Sequence, residues 1–96
     1  MSYVLEVIDK SGKKVHLSKE RWKHILRHQY MAPLLEDIKN TLINPTLIVS
    51  QKFDDTKRNY YTYYKNKRRY LLVGVKYLNG GGYVTTAFIT RKIIRR

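Results

Sequence analysis

The sequence predicts an α+β domain: an N-terminal β-hairpin, then two helices packed on one face of a four-stranded antiparallel sheet. Three observations predict it. Residues 3–17 alternate apolar and polar side chains around a Lys10-Ser11-Gly12-Lys13 turn. Residues 19–43 carry apolar side chains at helical spacing, with a break at Met31-Ala32-Pro33 and a stop at Asn44-Pro45. Beyond Pro45 the texture changes to β-branched and tyrosine-rich runs separated by polar turns. The 96 residues make one domain, 1–96, with a basic tail at 91–96. A chain of this length buries a modest core and holds no large cavity.

Tyr3 to Asp9 and Lys14 to Leu17 read as the hairpin strands. Ser18 suits a helix N-cap, and Glu20 in the first turn complements the helix dipole. The first helix is expected from Lys19 to Gln29. On a wheel of about 100° per residue, its Trp22, Ile25 and Leu26 form the apolar side. His24 and His28, four residues apart, stack on a second side, with His28 at the edge of the apolar arc. Pro33 suits the first position of the second helix. Leu34, Leu35, Ile38 and Leu42, joined by Ile43, give that helix its stripe, and Asn44-Pro45 ends it.

Four strands are expected next. Thr46 to Phe53 is β-branched, and Asp54 to Lys57 reads as a polar turn. Asn59 to Tyr64 is tyrosine-rich, and Lys65-Asn66-Lys67 is a tight connection. Arg69 to Leu78, RYLLVGVKYL, is nearly continuous apolar and should be the central strand. Asn79 to Gly82 reads as a hairpin loop; a phosphate-cradling loop would lead into a helix, whereas here a strand, Tyr83 to Thr90, follows. The second face of this sheet has no helix to cover it, which antiparallel sheets tolerate.

Twenty Lys and Arg against seven Asp and Glu give a net charge of +13. This exceeds the ~2–8 that solubility asks of a small domain. The charge is uneven: residues 1–48 are net +3 and residues 49–96 are net +10. Such a surface suits phosphates, which bind with release of counterions. Nine tyrosines are interleaved with the cations, and aromatics among cations serve single-stranded nucleic acid. The expected partner is RNA, held by Lys57, Lys67, Arg68, Arg69, Lys76, Arg91, Lys92 and Arg95. An acidic antitoxin or inhibitor protein is a second expected partner. With no apolar run near ~18 residues, no membrane partner is expected. The N-terminus lacks the apolar core of a secretory signal, which points to the cytoplasm.

The chain has no cysteine, which removes disulfides, zinc ribbons and thiol nucleophiles. Glu20, His24 and His28 occur at steps of four, a spacing that zinc sites use, but no second cluster completes a ligand set. No metal and no cofactor is therefore expected. Metal-free acid–base chemistry on a phosphodiester remains, and it favours RNA, whose 2′-OH is a built-in nucleophile. Histidine suits it because its ordinary pKa lies near neutrality. A non-catalytic RNA- or DNA-binding module would use the same charge and tyrosines, but has no need of His24 or His28.

Four segments, LSKERWKHILRHQYM, LEDIKNTLINPTLI, YYTYYKNKRRYLLVGVKY and YVTTAFITRKI, resemble the phage-associated branch of the barnase–EndoU–colicin–RelE-like small ribonucleases. The resemblance covers roughly residues 15 to 94. It implies helices followed by a four-stranded antiparallel sheet that carries the site. It also implies metal-independent RNA cleavage by a toxin or a conflict-system effector. By motif match the family's active-site positions fall on His24 and His28, on Tyr64 and Lys65, on Arg58, and on Thr86. Family members are often domains of larger polypeptides followed by an extension, whereas this sequence ends at Arg96. If the hairpin loop before Tyr83 holds three or five residues, Thr86 lies opposite Gly74 and shares a face with Lys76 and Leu72. A four-residue loop reverses that parity.

Overall fold

The computed structural model describes residues 3–94. Strand β1 (Tyr3–Ile8) and strand β2 (Lys14–Ser18) form the hairpin; helix α1 (Lys19–Ile25) follows, then a 3-10 turn at Ala32–Leu34 and helix α2 (Leu35–Ile43). Strands β3 (Leu47–Gln51), β4 (Asp54–Tyr64), β5 (Arg69–Leu78) and β6 (Gly81–Thr90) complete the described chain.

The hairpin is not a separate appendage. Among the described residues six strands form one sheet in the order β1-β2-β6-β5-β4-β3. The expected four-stranded meander is therefore extended by two strands. The join is a short parallel ladder pairing Lys14, Val15 and His16 with Gly81, Gly82 and Tyr83, while every other strand pair is antiparallel. Gly81-Gly82 is thus strand and not loop, and the β5–β6 turn is only Asn79-Gly80. Gly80 takes φ 80°, a left-handed conformation open to glycine.

One face of the sheet carries the core. Val15 and Leu17 of β2, Tyr60 of β4, Leu71, Val73 and Val75 of β5, and Val84 and Ala87 of β6 pack against Ile25, Met31, Ile38 and Leu42. Each such aliphatic side chain contributes about 1.5–3 kcal/mol when fully buried. Thr41 ties α2 to β4 through a 2.6 Å hydroxyl bond to Thr62, and Tyr64 adds a bond to Asp37 of α2. Both helices lie on one face, as the amphipathic patterns predict.

Several boundaries differ from expectation for local reasons. Helix α1 is capped by Ser18, whose hydroxyl accepts from Arg21 N–H at 3.1 Å, but it stops at Ile25 rather than Gln29. The next turns tighten, with Arg27 N–H donating to His24 O and His28 N–H to Ile25 O, and Tyr30 takes φ 68°. This reversal buries Met31 and leaves Leu26 41 % exposed; Ile43, at the last position of α2, is likewise 41 % exposed and outside the core. Asp54 to Lys57 is strand rather than turn, because the Asp54 carboxylate accepts from both the Thr56 backbone and hydroxyl and faces Lys76 across to β5. The turn is instead at Lys52-Phe53.

Among the described residues the second face carries no helix, yet part of it is covered. Tyr61 and Leu72 are buried on it because the chain after β6 folds back over the sheet. The Tyr61 hydroxyl accepts from Ile94 N–H at 2.8 Å and donates to Ile94 O at 3.2 Å. The basic tail is thus, through Ile94, a strap over the sheet. Arg95 lies outside the described residues.

Candidate active site

The second face has three shallow cavities in a row along β6. The middle one, about 270 Å³, is lined by Asn59, Leu72, Thr86, Phe88, the β3 residues Val49, Ser50 and Gln51, and Ile94 of the strap. Its floor is set by a register fact. Asn59, Gly74 and Thr86 are direct cross-strand partners on β4, β5 and β6. The two-residue turn alone would put the wrong residue opposite Gly74. A bulge in β6 between the Val84 and Thr86 pairings shifts the ladder and brings Thr86 there. Gly74 has no side chain, and the hydroxyl of Thr85, the methyl of Thr86 and the amide oxygen of Asn59 close in over the place a Cβ would take.

The neighbouring cavity, about 580 Å³, is lined by His28, Gln29, Tyr30, Arg69, Phe88, Ile89, Thr90 and Arg91. Phe88 is the wall between the two, and the His28 ring lies 5.6 Å from the Phe88 ring, tilted 45°. His28 reaches the second face because β2 pairs only with the start of β6, so α1 and the turns after it sit beside the later half of that strand. Arg69 is held at the start of β5 by bonds of 3.2 Å to the Lys67 and Arg68 carbonyls.

The other residues singled out from the sequence lie elsewhere. His24 is exposed in the last turn of α1, and because the helix ends at Ile25, Glu20, His24 and His28 do not form one continuous ridge. Among the described residues no three His, Asp, Glu or Cys side chains gather as a metal set. Tyr64 and Arg58 lie on the helix side of the sheet, across it from Thr86. Burial, then the bond to Asp37, pushes the Tyr64 phenol up beyond its ordinary range, so it stays protonated and acts as a donor. The Arg58 guanidinium stacks 4.7 Å from the Tyr77 ring centre. Lys65 and Arg68 are exposed in the β4–β5 turn, where Lys67 lies over the Tyr64 ring. Lys57 and Lys76 bracket Asp54 at 3.9 and 4.0 Å. The Thr56 hydroxyl and backbone N–H, with Lys76 and Lys57 behind them, hold the Asp54 carboxyl below its ordinary range. Arg91 lines the His28 cavity, and Lys92 is exposed.

Asn59 and Phe88 escaped the sequence reading. Asn59 is the polar member of the alternating set Asn59, Tyr61, Tyr63, a signal that it faces away from the core. Phe88 sits two residues after Thr86 and therefore on its face. A third feature was equally hidden. Asp9 is buried at the hairpin turn and accepts from Ser11, from the Lys13 N–H, and from the hydroxyls of Tyr60 and Tyr77.

Fold and composition together define a small basic α+β domain whose second sheet face carries the three cavities along β6. The chain belongs to a nuclease family of phage association: the family described as phage-Barnase-EndoU-ColicinE5/D-RelE like nuclease2 matches residues 5–96. No curated protein and no solved structure matches significantly.

Proposed function

We propose that this nuclease-family chain is a metal-independent ribonuclease with its site on the second sheet face around His28. One observation carries the reading: an imidazole, two guanidinium-bearing residues and Thr90 line one cavity, and Phe88 lines both it and the cavity that holds Thr86 and Asn59. Arg69 and Arg91 hold the phosphate and offset the charge that builds on it. His28 takes the 2′-OH proton and the 2′ oxygen attacks phosphorus. The bond from phosphorus to the 5′ oxygen breaks, and that oxygen takes up a proton from solvent. Thr86 and Asn59 donate hydrogen bonds to the adjoining nucleotide. DNA lacks the nucleophile, so the substrate class is RNA. The same reading makes the chain a toxin or conflict-system effector acting in the cytoplasm, with an acidic inhibitor protein as the partner its basic surface suits.

The test is incubation of the full chain with mixed RNA in EDTA, followed by chemical identification of the new ends. Cleavage that persists and leaves 2′,3′-cyclic phosphates and 5′-hydroxyls is expected. Activity that vanishes in EDTA and returns with zinc or magnesium overturns the metal-free mechanism. RNA that is bound tightly but never cut turns the chain into a binding module.

A further inference from the structure

The third histidine lies far from this cavity in the fold and takes no part in the chemistry above. His16 of β2 is stacked on Tyr3 of β1, with ring centres 4.0 Å apart and planes 18° apart. On its other side Tyr83 of β6 lies 6.2 Å away at 29°. Three neighbouring strands thus contribute one aromatic ring each to a single row. The row lies on the second face, because Val15, Leu17 and Val84, beside these residues in sequence, point into the core. It lines the third cavity, about 460 Å³, together with Lys14 and the Gly80–Gly82 segment.

We infer that the Tyr3–His16–Tyr83 row is a nucleobase-stacking subsite for single-stranded RNA whose cleaved phosphate lies at His28; this rests on the ribonuclease reading. Three observations support it. The subsite and the His28 cavity lie on one strand: from Tyr83 to Thr90 β6 rises roughly 20 Å, a span for several nucleotides and not for one. Cations stand beside the rings, since Lys76 is the direct partner of Tyr83 and Lys14 that of Gly81. The contact between Lys76 and Asp54, partly open to solvent and at 4.0 Å on the outer edge of ion-pair range, holds that lysine only weakly, leaving it available to a phosphate. Finally, the rings are only partly covered: Tyr3 is 38 % exposed, and the cavity beside them is open. Glu6, across from His16 on β1, places negative charge at the outer edge of the row. Phosphates therefore run on the Lys14 and Lys76 side, with bases turned to the rings. Stacking of this kind is indifferent to base identity, because every base has a π face.

The test uses the full chain carrying His28→Ala, so that RNA is bound without being cut, and measures affinity for a dinucleotide and for a single strand of about ten nucleotides. Adding Tyr83→Leu keeps apolar bulk and removes the ring. It should weaken binding of the longer strand by about 5- to 100-fold, leave dinucleotide affinity unchanged, and be reversed by Tyr83→Phe. Equal affinity of the leucine and tyrosine forms for the longer strand overturns the subsite while leaving the His28 site standing. Equal weakening for both lengths, with a lowered melting temperature, means that the row only braces β1, β2 and β6, and also overturns it. If the chain with Tyr83 intact binds no RNA of either length, the ribonuclease reading itself is what fails.

Discussion

Thr86 and Gly74 face each other across β5 and β6, and a Cβ placed on Gly74 would lie 3.2 Å from Thr86 Cγ2 and 3.1 Å from Thr85 Oγ1. Both neighbours are side chains that can turn aside, so Gly74→Ala should fold, with stability changed by no more than about 1 kcal/mol. The displacement of Thr85 and Thr86 should nevertheless lower cleavage. The expected outcome is a drop in kcat/KM of at least about tenfold, corresponding to about 1.4 kcal/mol of transition-state stabilisation, with a melting temperature within a few degrees of wild type. An unchanged rate would remove Gly74 and Thr86 from the site.

His28 is exposed, with its ring against that of Phe88, so its removal leaves no buried hole. His28→Ala should cost about 10²–10⁴ in rate with RNA affinity and folding nearly intact. His24, which lines none of the three cavities along β6, should cost less when changed to Ala. Single-turnover cleavage of a labelled RNA by both variants distinguishes them. Wild-type rates from both would end the histidine mechanism.

How far these residues could be read without the fold depends on whether the deciding contact is local. Strand β5 was legible from end to end because an apolar run between a basic turn and Asn79-Gly80 has one sensible conformation. The helix faces were legible at Ile25, Ile38 and Leu42. The β2–β6 pairing was not, since parallel contacts between residues 14–16 and 81–83 leave no trace in either segment. Thr86 opposite Gly74 was one of two readings, and the decision lay in a bulge that no loop-length argument contains. Arg58, Tyr64 and Thr86 came from one family resemblance, yet strand alternation puts the first two on the face opposite the third. The Asp9 cluster joins residues 51 and 68 positions apart, beyond the reach of any periodicity.

Tyr64 is a test of that division. Its hydroxyl donates to Asp37 of α2, and the phenol is driven up by burial first and by that carboxylate second. It therefore fastens α2 to the end of β4. Tyr64→Phe should lower unfolding free energy by about 1–2 kcal/mol, measured by urea denaturation, while the cleavage rate per folded molecule stays near wild type. A large loss of rate at full stability would return Tyr64 to the catalytic group.

Asp9 links the fold to pH. Burial acts to raise its pKa, but bonds from Tyr77, Ser11, Lys13 N–H and Tyr60 outweigh burial and leave the carboxyl lowered. A carboxyl lowered in the folded state stabilises the fold above the unfolded value of about 3.9, and that stabilisation is lost as pH falls through the folded value. Denaturation midpoints should thus fall as pH is lowered below about 4. Asp9→Asn should be less stable than wild type at pH 7, since it loses the charge-assisted bonds. It should also show a shallower fall in acid. Parallel acid profiles for the two proteins would place the pH dependence on other carboxyls.

The last expectation concerns charge. Lys65, Lys67, Arg68 and Arg69 stand together where β4 turns into β5, and Arg69 continues from that turn into the His28 cavity. Each cation that meets a phosphate releases counterions, so log affinity should fall linearly with log salt. For a single strand each phosphate contact contributes about 0.7 to the slope. Changing all four to Gln should weaken RNA binding across unrelated sequences and flatten that slope, because counterion release is blind to base identity. Titrations of the same oligonucleotides at several salt concentrations read both quantities. A steep slope that survives the four substitutions would move the phosphate path to the Lys57, Lys76 and Lys14 side of the sheet; a flat slope in the wild type would remove electrostatics as the source of affinity.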